Sequence, residues 1–293
     1  LKIEPTSISS LEEIVDSAEK EIGADFALNY VTSNLITISD IKNKSIQDVH
    51  EEALLWAAEV KPAELQINHG SFIKSGLDHI THELKHKKTS NRALFSLISH
   101  DDIVGTEDQP IPSFMIMQCN IHNNTLYCTS YFRALEVSKF LRVNLEEIRL
   151  KICKIHDKLP DFEYVNLTIV AFRAYVNKNI NTLRIPEIDR TSPIQIYKLL
   201  NENPKKLAYM LREKSLSSTF VTTSSLEHLL EALNSGVYPK LNVQIIQNSI
   251  TNAIAIANNL SARRKISSHH ADIENLNQEF HDKIVDISEE LGK

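Results

Sequence analysis

The residues with the most chemistry to offer lie in and around PSFMIMQCNIHNNTLYCTSYFR, residues 112–133. Arg133, in an apolar and aromatic setting, can present paired N–H donors to a phosphate, a geometry that lysine does not reproduce. Ser113 is a hydroxyl at a strand start. It would need an activating base to act as a nucleophile, and the sequence displays none, so a hydroxyl satisfied by backbone is the plainer reading. Gln118 follows five residues later, and Asn144 stands eleven residues beyond Arg133. Asn144 carries the donor and acceptor needed to read a pyrimidine edge, or to cap local backbone. Arg173 and Tyr175 in RAYVN, and Arg92 in SNRALFSL, could serve the same ligand. The alternative for each arginine is an ordinary carboxylate partner.

These residues need a scaffold. SSLEEIVDSAEKEIG reads as a first helix, capped by Ser9 or Ser10 and ended by Gly23. NLITISDI follows as a short strand, and SIQDVHEEALLWAAEV as a helix that stops before Pro62. SGLDHITHELKHK is amphipathic, and TSNRALFSLIS reads as a turn and a buried strand. Residues 114–121 and 125–132 are strands joined by HNN. LEVSKFLRVNLEEIRLKICKIHDKL is helical, in one segment or two, and EYVNLTIVAFRAYVNK is a strand with a polar, aromatic end. From about residue 197 the pattern is helical, through PIQIYKLLNENPKKLAYMLREK, SSLEHLLEALNSG and a long run from Val243 to Glu290. The organisation expected is an α/β domain over 1–195 and a helical extension over 196–293.

A hydrophobic content of 42% supports a sizeable core, and a net charge of -6 argues against a coat for nucleic acid. The basic runs KHKK and ARRK lack aromatic interleaving, so no extended nucleic-acid surface is expected. Three cysteines without metal spacing fit a reducing, cytoplasmic setting. No apolar run is long enough for a membrane span, residues 1–20 lack a secretory pattern, and Leu1 leaves room for an upstream segment. With only 6 glycines, a glycine-built phosphate loop is not expected. His79 and His82 lack a third ligand at a recognisable spacing, and HDD at 100–102 and SSHH at 267–270 read as solvated turns rather than metal sites.

In order and spacing, these pieces over about residues 45–190 resemble the thymidylate synthase family, which includes pyrimidine-nucleotide hydroxymethylases. Pro112, Ser113 and Phe114 occupy the family's proline-cysteine-histidine segment, Gln118 its following glutamine, and Tyr131, Phe132 and Arg133 its tyrosine-any-arginine segment. Asn144 matches the base-recognising asparagine. SNRALFSL is similar to the segment that lends arginines to the neighbouring subunit's phosphate site, with Arg92 alone of the usual pair. Tyr175 and Asn177 match a histidine-any-tyrosine-any-asparagine segment in which Arg173 replaces the histidine, and LRIP at 183–186 continues the likeness. The resemblance implies a thymidylate synthase-like mixed sheet flanked by helices and a homodimer. The C-terminal helices lie outside it and could reinforce that dimer or hold another protein.

The same resemblance implies a thiolate that adds to C6 of a pyrimidine, and Ser113 cannot supply one. Phe114 replaces the adjacent histidine, Ala134 a serine, Glu136 an aspartate and Phe140 a glycine beside the folate. The family's catalytic glutamate falls on Ala53, with Glu52 one register away. Cys119, Cys128 and Cys153 read as small buried hydrophobes. Binding residues are kept and reaction residues lost, so no cofactor is expected. The first reading is a divergent member that binds a nucleotide or nucleotide-like phosphate without folate-dependent methylation. One alternative is a nucleotide-modifying enzyme that gives Glu52, Glu136, Tyr175 or Arg173 new roles. The other is a non-catalytic scaffold whose old cavity is filled by Phe114, Phe132 and Phe140.

Overall fold

The computed structural model of the chain describes residues 4–104, 111–177, 183–217, 221–266 and 271–293. SSHH at 267–270 lies outside these residues. Two compact units are present, one of residues 1–62 with 67–178, the other of 63–66 with 179–293. Among the described residues, 183–195 cluster with the helices.

In the first unit the elements are β1 (Thr6–Ser7), α1 (Glu12–Ile22), β2 (Phe26–Thr37), α2 (Ile38–Asn43), α3 (His50–Ala57), α4 (Gly70–Ile73) and α5 (Gly76–His86). There follow β3 (Leu94–Ser96), α6 (His100–Ile103), β4 (Phe114–His122), β5 (Thr125–Phe132), β6 (Leu135–Glu136), α7 (Phe140–Lys158) and β7 (Tyr164–Tyr175). The strands form a mixed sheet in the order β1-β2-β7-β5-β4-β3, with β6 beside β7. β5 and β6 run parallel to β7, and β2 runs antiparallel to it.

The β4–β5 hairpin closes on Asn123 and Asn124, whose φ values of 45° and 62° are those of a tight turn with both central residues left-handed. This turn sets the register that pairs Gln118 with Thr129 and Cys119 with Cys128. Period-two alternation then divides the faces. Leu126, Cys128, Ser130 and Phe132 of β5, with Val165, Leu167, Ile169 and Ala171 of β7, point into a core closed by α1, α5 and α7. The opposite face carries a row of Val31, Val170, Tyr131 and Ile116, and beside it a polar row of Ser33, Thr168, Thr129 and Gln118. On that side Val31, Tyr127, Tyr131, Tyr164 and Phe172 remain exposed.

Three local expectations change. Neither Ser9 nor Ser10 caps α1 through its side chain; the Glu13 carboxylate instead accepts the backbone N–H groups of Ser9 and Ser10, at 2.8 and 3.0 Å. The strand expected over 34–41 begins at Phe26 and stops at Thr37, where the Thr37 hydroxyl accepts the Asp40 N–H and starts α2. α7 is one helix and begins only at Phe140, because residues 135–136 form β6.

The second unit comprises α8 (Pro193–Glu202), α9 (Pro204–Ser215), α10 (Ser224–Ser235), α11 (Val243–Ile266) and α12 (Ala271–Gly292). Ser192 and Gln195 form a reciprocal cap for α8. Asn203 ends that helix and caps α9, which starts on Pro204. The helices bury Leu200, Leu211, Leu229, Ile250, Phe280 and Ile284 in one core. Lys214 is sealed within it and bonds both oxygens of Asp189, at 2.6 and 2.8 Å. Among the described residues no helix is long and apolar enough to cross a membrane.

Candidate ligand site

Arg133 leaves β5 where its N–H donates to the Ser113 carbonyl at 3.0 Å. Its side chain turns back on the same segment: Nε donates to the Pro112 carbonyl at 3.3 Å and Nη2 to that of Ile111 at 3.1 Å. Two of a guanidinium's five donors are thereby used, which fixes its plane and leaves three. Burial pushes this guanidinium down, and the only titratable neighbour acting against that shift is Tyr175.

Tyr175 and Arg173 stand two apart on β7 and so share one face. Arg173 lays its guanidinium 3.7 Å above the Phe26 ring, and its buried Nε has no hydrogen-bond partner. Burial is the main cause that pushes the Tyr175 phenol up to about 12; the Glu136 charge adds to it, and Arg173 and Arg133 oppose it. The charges of both arginines thus act on one tyrosine. Neither has a carboxylate partner among the described residues.

Glu136, whose charge also acts on Tyr175, is engaged by backbone N–H groups rather than by either arginine. Its carboxylate sits at the start of α7 and accepts the N–H groups of Ser138, Lys139 and Phe140 at 2.9, 2.7 and 3.0 Å. It also accepts the Asn177 N–H at 3.0 Å and the Ser138 hydroxyl. The helix N-terminus favours an anion, and Glu136 is that anion.

The other expected residues are placed differently. The Ser113 hydroxyl makes no hydrogen bond to the described residues, so none of them acts on it as a base. Gln118 lies on the far part of β4 and donates to the Asn91 carbonyl at 2.8 Å. The five residues from Ser113 to Gln118 span ~16 Å of strand, so Gln118 and neighbouring Arg92 do not join Arg133 in one chain. Gln118 instead lines an open concavity of about 390 Å³ on the sheet face, with Asn91, Asn120, His122, Tyr127 and Thr129. Asn144 is buried on α7, and its Oδ1 has no partner.

Phe114 is stacked on Phe132 with ring centroids 4.9 Å apart, and both are buried. Phe140 packs on Trp56 at 5.5 Å. Ala53 faces inward with Trp56 on α3, whereas Glu52 is half-exposed one residue away, so α3 brings no carboxylate into this interior. Two of the thiols, Cys119 and Cys153, are held away from the thiolate form. A hydrogen bond to Cys128, together with burial, raises the Cys119 thiol, and burial raises that of Cys153.

A carboxylate does enter, from a residue that motif reading passed over. Glu147, on α7, accepts from His69 Nδ1 at 2.6 Å and from the Lys151 ammonium. Burial alone would raise the Glu147 carboxyl, but the Lys151 and His69 charges and bonds hold it down to about 2. The His69 ring meets Trp56 and Phe114 edge-on, with centroids 4.9 and 5.5 Å apart. Gly70 makes this possible, since a Cβ there would collide with the carbonyl oxygens of Ala57 and Ala58. The available signal was the Glu147–Lys151 spacing of four on a helix, which in NLEEIRLK reads as a solvated charge pair. No family model matches the chain, and no curated protein matches its sequence at a significant level.

Proposed function

We propose that the protein is a catalytically divergent relative of the thymidylate synthases that binds a nucleotide or nucleotide-like phosphate and does not perform folate-dependent methylation. The observation that carries this reading is that Arg133 and Arg173, whose charges both act on the Tyr175 phenol, form no ion pair with a carboxylate among the described residues. An exposed arginine such as Arg133 and a half-buried one such as Arg173, neither ion-paired to an acid, are ready partners for an external anion. The order and spacing of the motifs over residues 45–190 support the choice of family. Ser113, without a hydrogen-bonded base among the described residues, and the raised Cys119 and Cys153 thiols speak against the family's covalent step. Calorimetric titration with pyrimidine and purine mononucleotides should give micromolar binding, weakened about 10- to 100-fold in Arg133→Ala, as loss of charge-assisted hydrogen bonds predicts. No heat across the panel at two temperatures would remove the nucleotide reading. The Phe114–Phe132 stack favours a second reading, a scaffold with its interior filled, and that null result would support it.

The resemblance also implies a homodimer, and the sheet face opposite the helices fits it. The row of Val31, Val170, Tyr131 and Ile116 is apolar, and exposed Phe172 and Tyr127 extend it. Pairing that face with a second copy covers an apolar surface and places Arg92 where only a neighbouring subunit could use it. Light scattering should give twice the chain mass of 33.3 kDa, and Tyr131→Arg should return the protein to one chain mass. A monomeric wild type at micromolar concentration would exclude this dimer.

A further inference from the structure

We infer that Cys119 and Cys128 are a dithiol pair that closes into a disulfide across the β4–β5 hairpin on reaction with a small disulfide such as oxidised glutathione. The hairpin register carries this, independently of the nucleotide reading. Cys119 stands directly opposite Cys128. Pairs in an antiparallel ladder alternate between hydrogen-bonded and non-hydrogen-bonded, and the pair that closes a two-residue turn is of the first kind. Counted back from the turn at Asn123 and Asn124, His122–Thr125 and Asn120–Tyr127 are hydrogen-bonded, and Ile121–Leu126 and Cys119–Cys128 are not. The N–H groups agree. That of Ile121 goes to the Lys88 carbonyl at 2.7 Å, and that of Cys119 to the Ala93 carbonyl at 2.8 Å. Ala93 adjoins β3, on the edge of β4 away from β5.

A non-hydrogen-bonded pair holds its Cα atoms ~4.5 Å apart and its side chains closer than the other kind. A disulfide needs Cα atoms about 4.4–6.8 Å apart, so it can form here without a change of register. Both side chains face the core, where Cys119 is 1% and Cys128 0% exposed. The two thiols meet there, since a hydrogen bond to Cys128 is the foremost cause that raises the Cys119 thiol. The third cysteine lies on α7, with its sulfur 3.9 Å from an Arg149 nitrogen. Gln118, Asn120, Tyr127 and Thr129 of the same two strands line the concavity on the sheet face, and Cys119 borders it. Closing the disulfide therefore pins the floor of that concavity.

A thiol sealed in a core is a poor nucleophile, so exchange proceeds when the hairpin opens from its exposed end at His122, Asn123 and Asn124. One cysteine, as the thiolate, attacks a sulfur of oxidised glutathione; that S–S bond breaks and a glutathione thiolate leaves. The second cysteine, also as the thiolate, attacks the protein sulfur of the mixed disulfide and expels the second glutathione. Both thiol protons pass to the departing thiolates. The protein is oxidised by two electrons and glutathione is reduced by two.

The test equilibrates the full-length protein in buffers of reduced and oxidised glutathione, once folded and once unfolded in urea. Acid quenching, alkylation under denaturing conditions and intact mass then count the free thiols. The reduced protein carries three labels, and the oxidised protein should carry one, on Cys153. Chymotryptic peptides should place the bond between Cys119 and Cys128. The equilibrium constant for oxidation should be about 10- to 100-fold larger folded than in urea, as expected when a fold holds a short loop closed. This comparison uses the wild type, so it does not depend on whether a cysteine variant folds. Cys153→Ser should still lose two labels on oxidation, and Cys119→Ser should form no internal disulfide. An equilibrium constant no larger folded than in urea, or a loss of labels that requires Cys153, overturns the proposal.

Discussion

Replacing Lys214 with methionine should lower the unfolding free energy by about 3–5 kcal/mol, the cost typical of removing one partner from a buried ion pair. Lys214 is fully buried, and its ammonium holds both oxygens of Asp189 and the Thr222 carbonyl, at 2.6, 2.8 and 2.8 Å. Burial pushes that ammonium down, and Asp189 opposes the shift. In the single variant Asp189 keeps the Ser225 hydroxyl but loses its counter-charge. The double variant Lys214→Met/Asp189→Asn removes both charges while leaving an acceptor for Ser225, and should recover most of the loss. The measurement is urea unfolding followed by far-ultraviolet circular dichroism, completed as a double-mutant cycle. A single variant within about 1 kcal/mol of wild type would show that the pair is not sealed from water.

Much of the architecture was legible because it depends on local signals. The β4–β5 hairpin announced itself through two alternating runs around Asn123 and Asn124, and PIQIYKLLNENPKKLAYMLREK through its helical pattern, though its division into α8 and α9 by Ser192, Asn203 and Pro204 was not read. The first half of β2 did not. Leu28, Asn29 and Val31 are exposed while Tyr30 and Asn34 are buried, so the polar pattern does not mark a strand. Its partner is β7, which pairs Val31 with Val170 across more than a hundred residues, and that pairing decides the conformation. The start of α7 was missed for a similar reason. The side chain of Glu136 takes the first N–H groups of the helix, a role that its position in LEVSKF does not advertise.

The candidate site was legible in part, and the division is physical. Arg133, Arg173 and Tyr175 are ends of strands that neighbour one another in the sheet, so strand assignment alone brings them close. Gln118 and Arg92 were grouped with them by resemblance, yet strand rise carries them away within one chain. His69, Glu147 and Lys151 escaped because nothing in a sequence marks a charged residue as buried. NLEEIRLK has two adjacent glutamates and a lysine, which ordinarily face water. Both glutamates are buried: Glu146 accepts from the Ile46 N–H, His50 and Arg149, while Glu147 serves His69 and Lys151.

Acid unfolding should single out Glu147. Its folded carboxyl lies at about 2 against an ordinary 4.5, so as pH falls the unfolded chain takes up the proton first. The stabilisation is fully present above the ordinary value and is lost between the two, on the order of 3 kcal/mol for a shift of this size. Lys151 does not confuse the window: burial lowers its ammonium from 10.5, so its contribution changes on the alkaline side. Trp56, the only tryptophan in the chain, touches His69 and reports the transition by fluorescence. At pH 7 Glu147→Gln should cost about 3–5 kcal/mol, because Lys151 is left charged and buried. Glu147→Gln/Lys151→Met should recover part of that loss. Between pH 4.5 and 2 both variants should lose stability less steeply than wild type; Glu146, whose carboxyl is also lowered, keeps some of the slope. If Glu147→Gln retains the wild-type acid slope, Glu147 is not the carboxylate that ties α7 to His69.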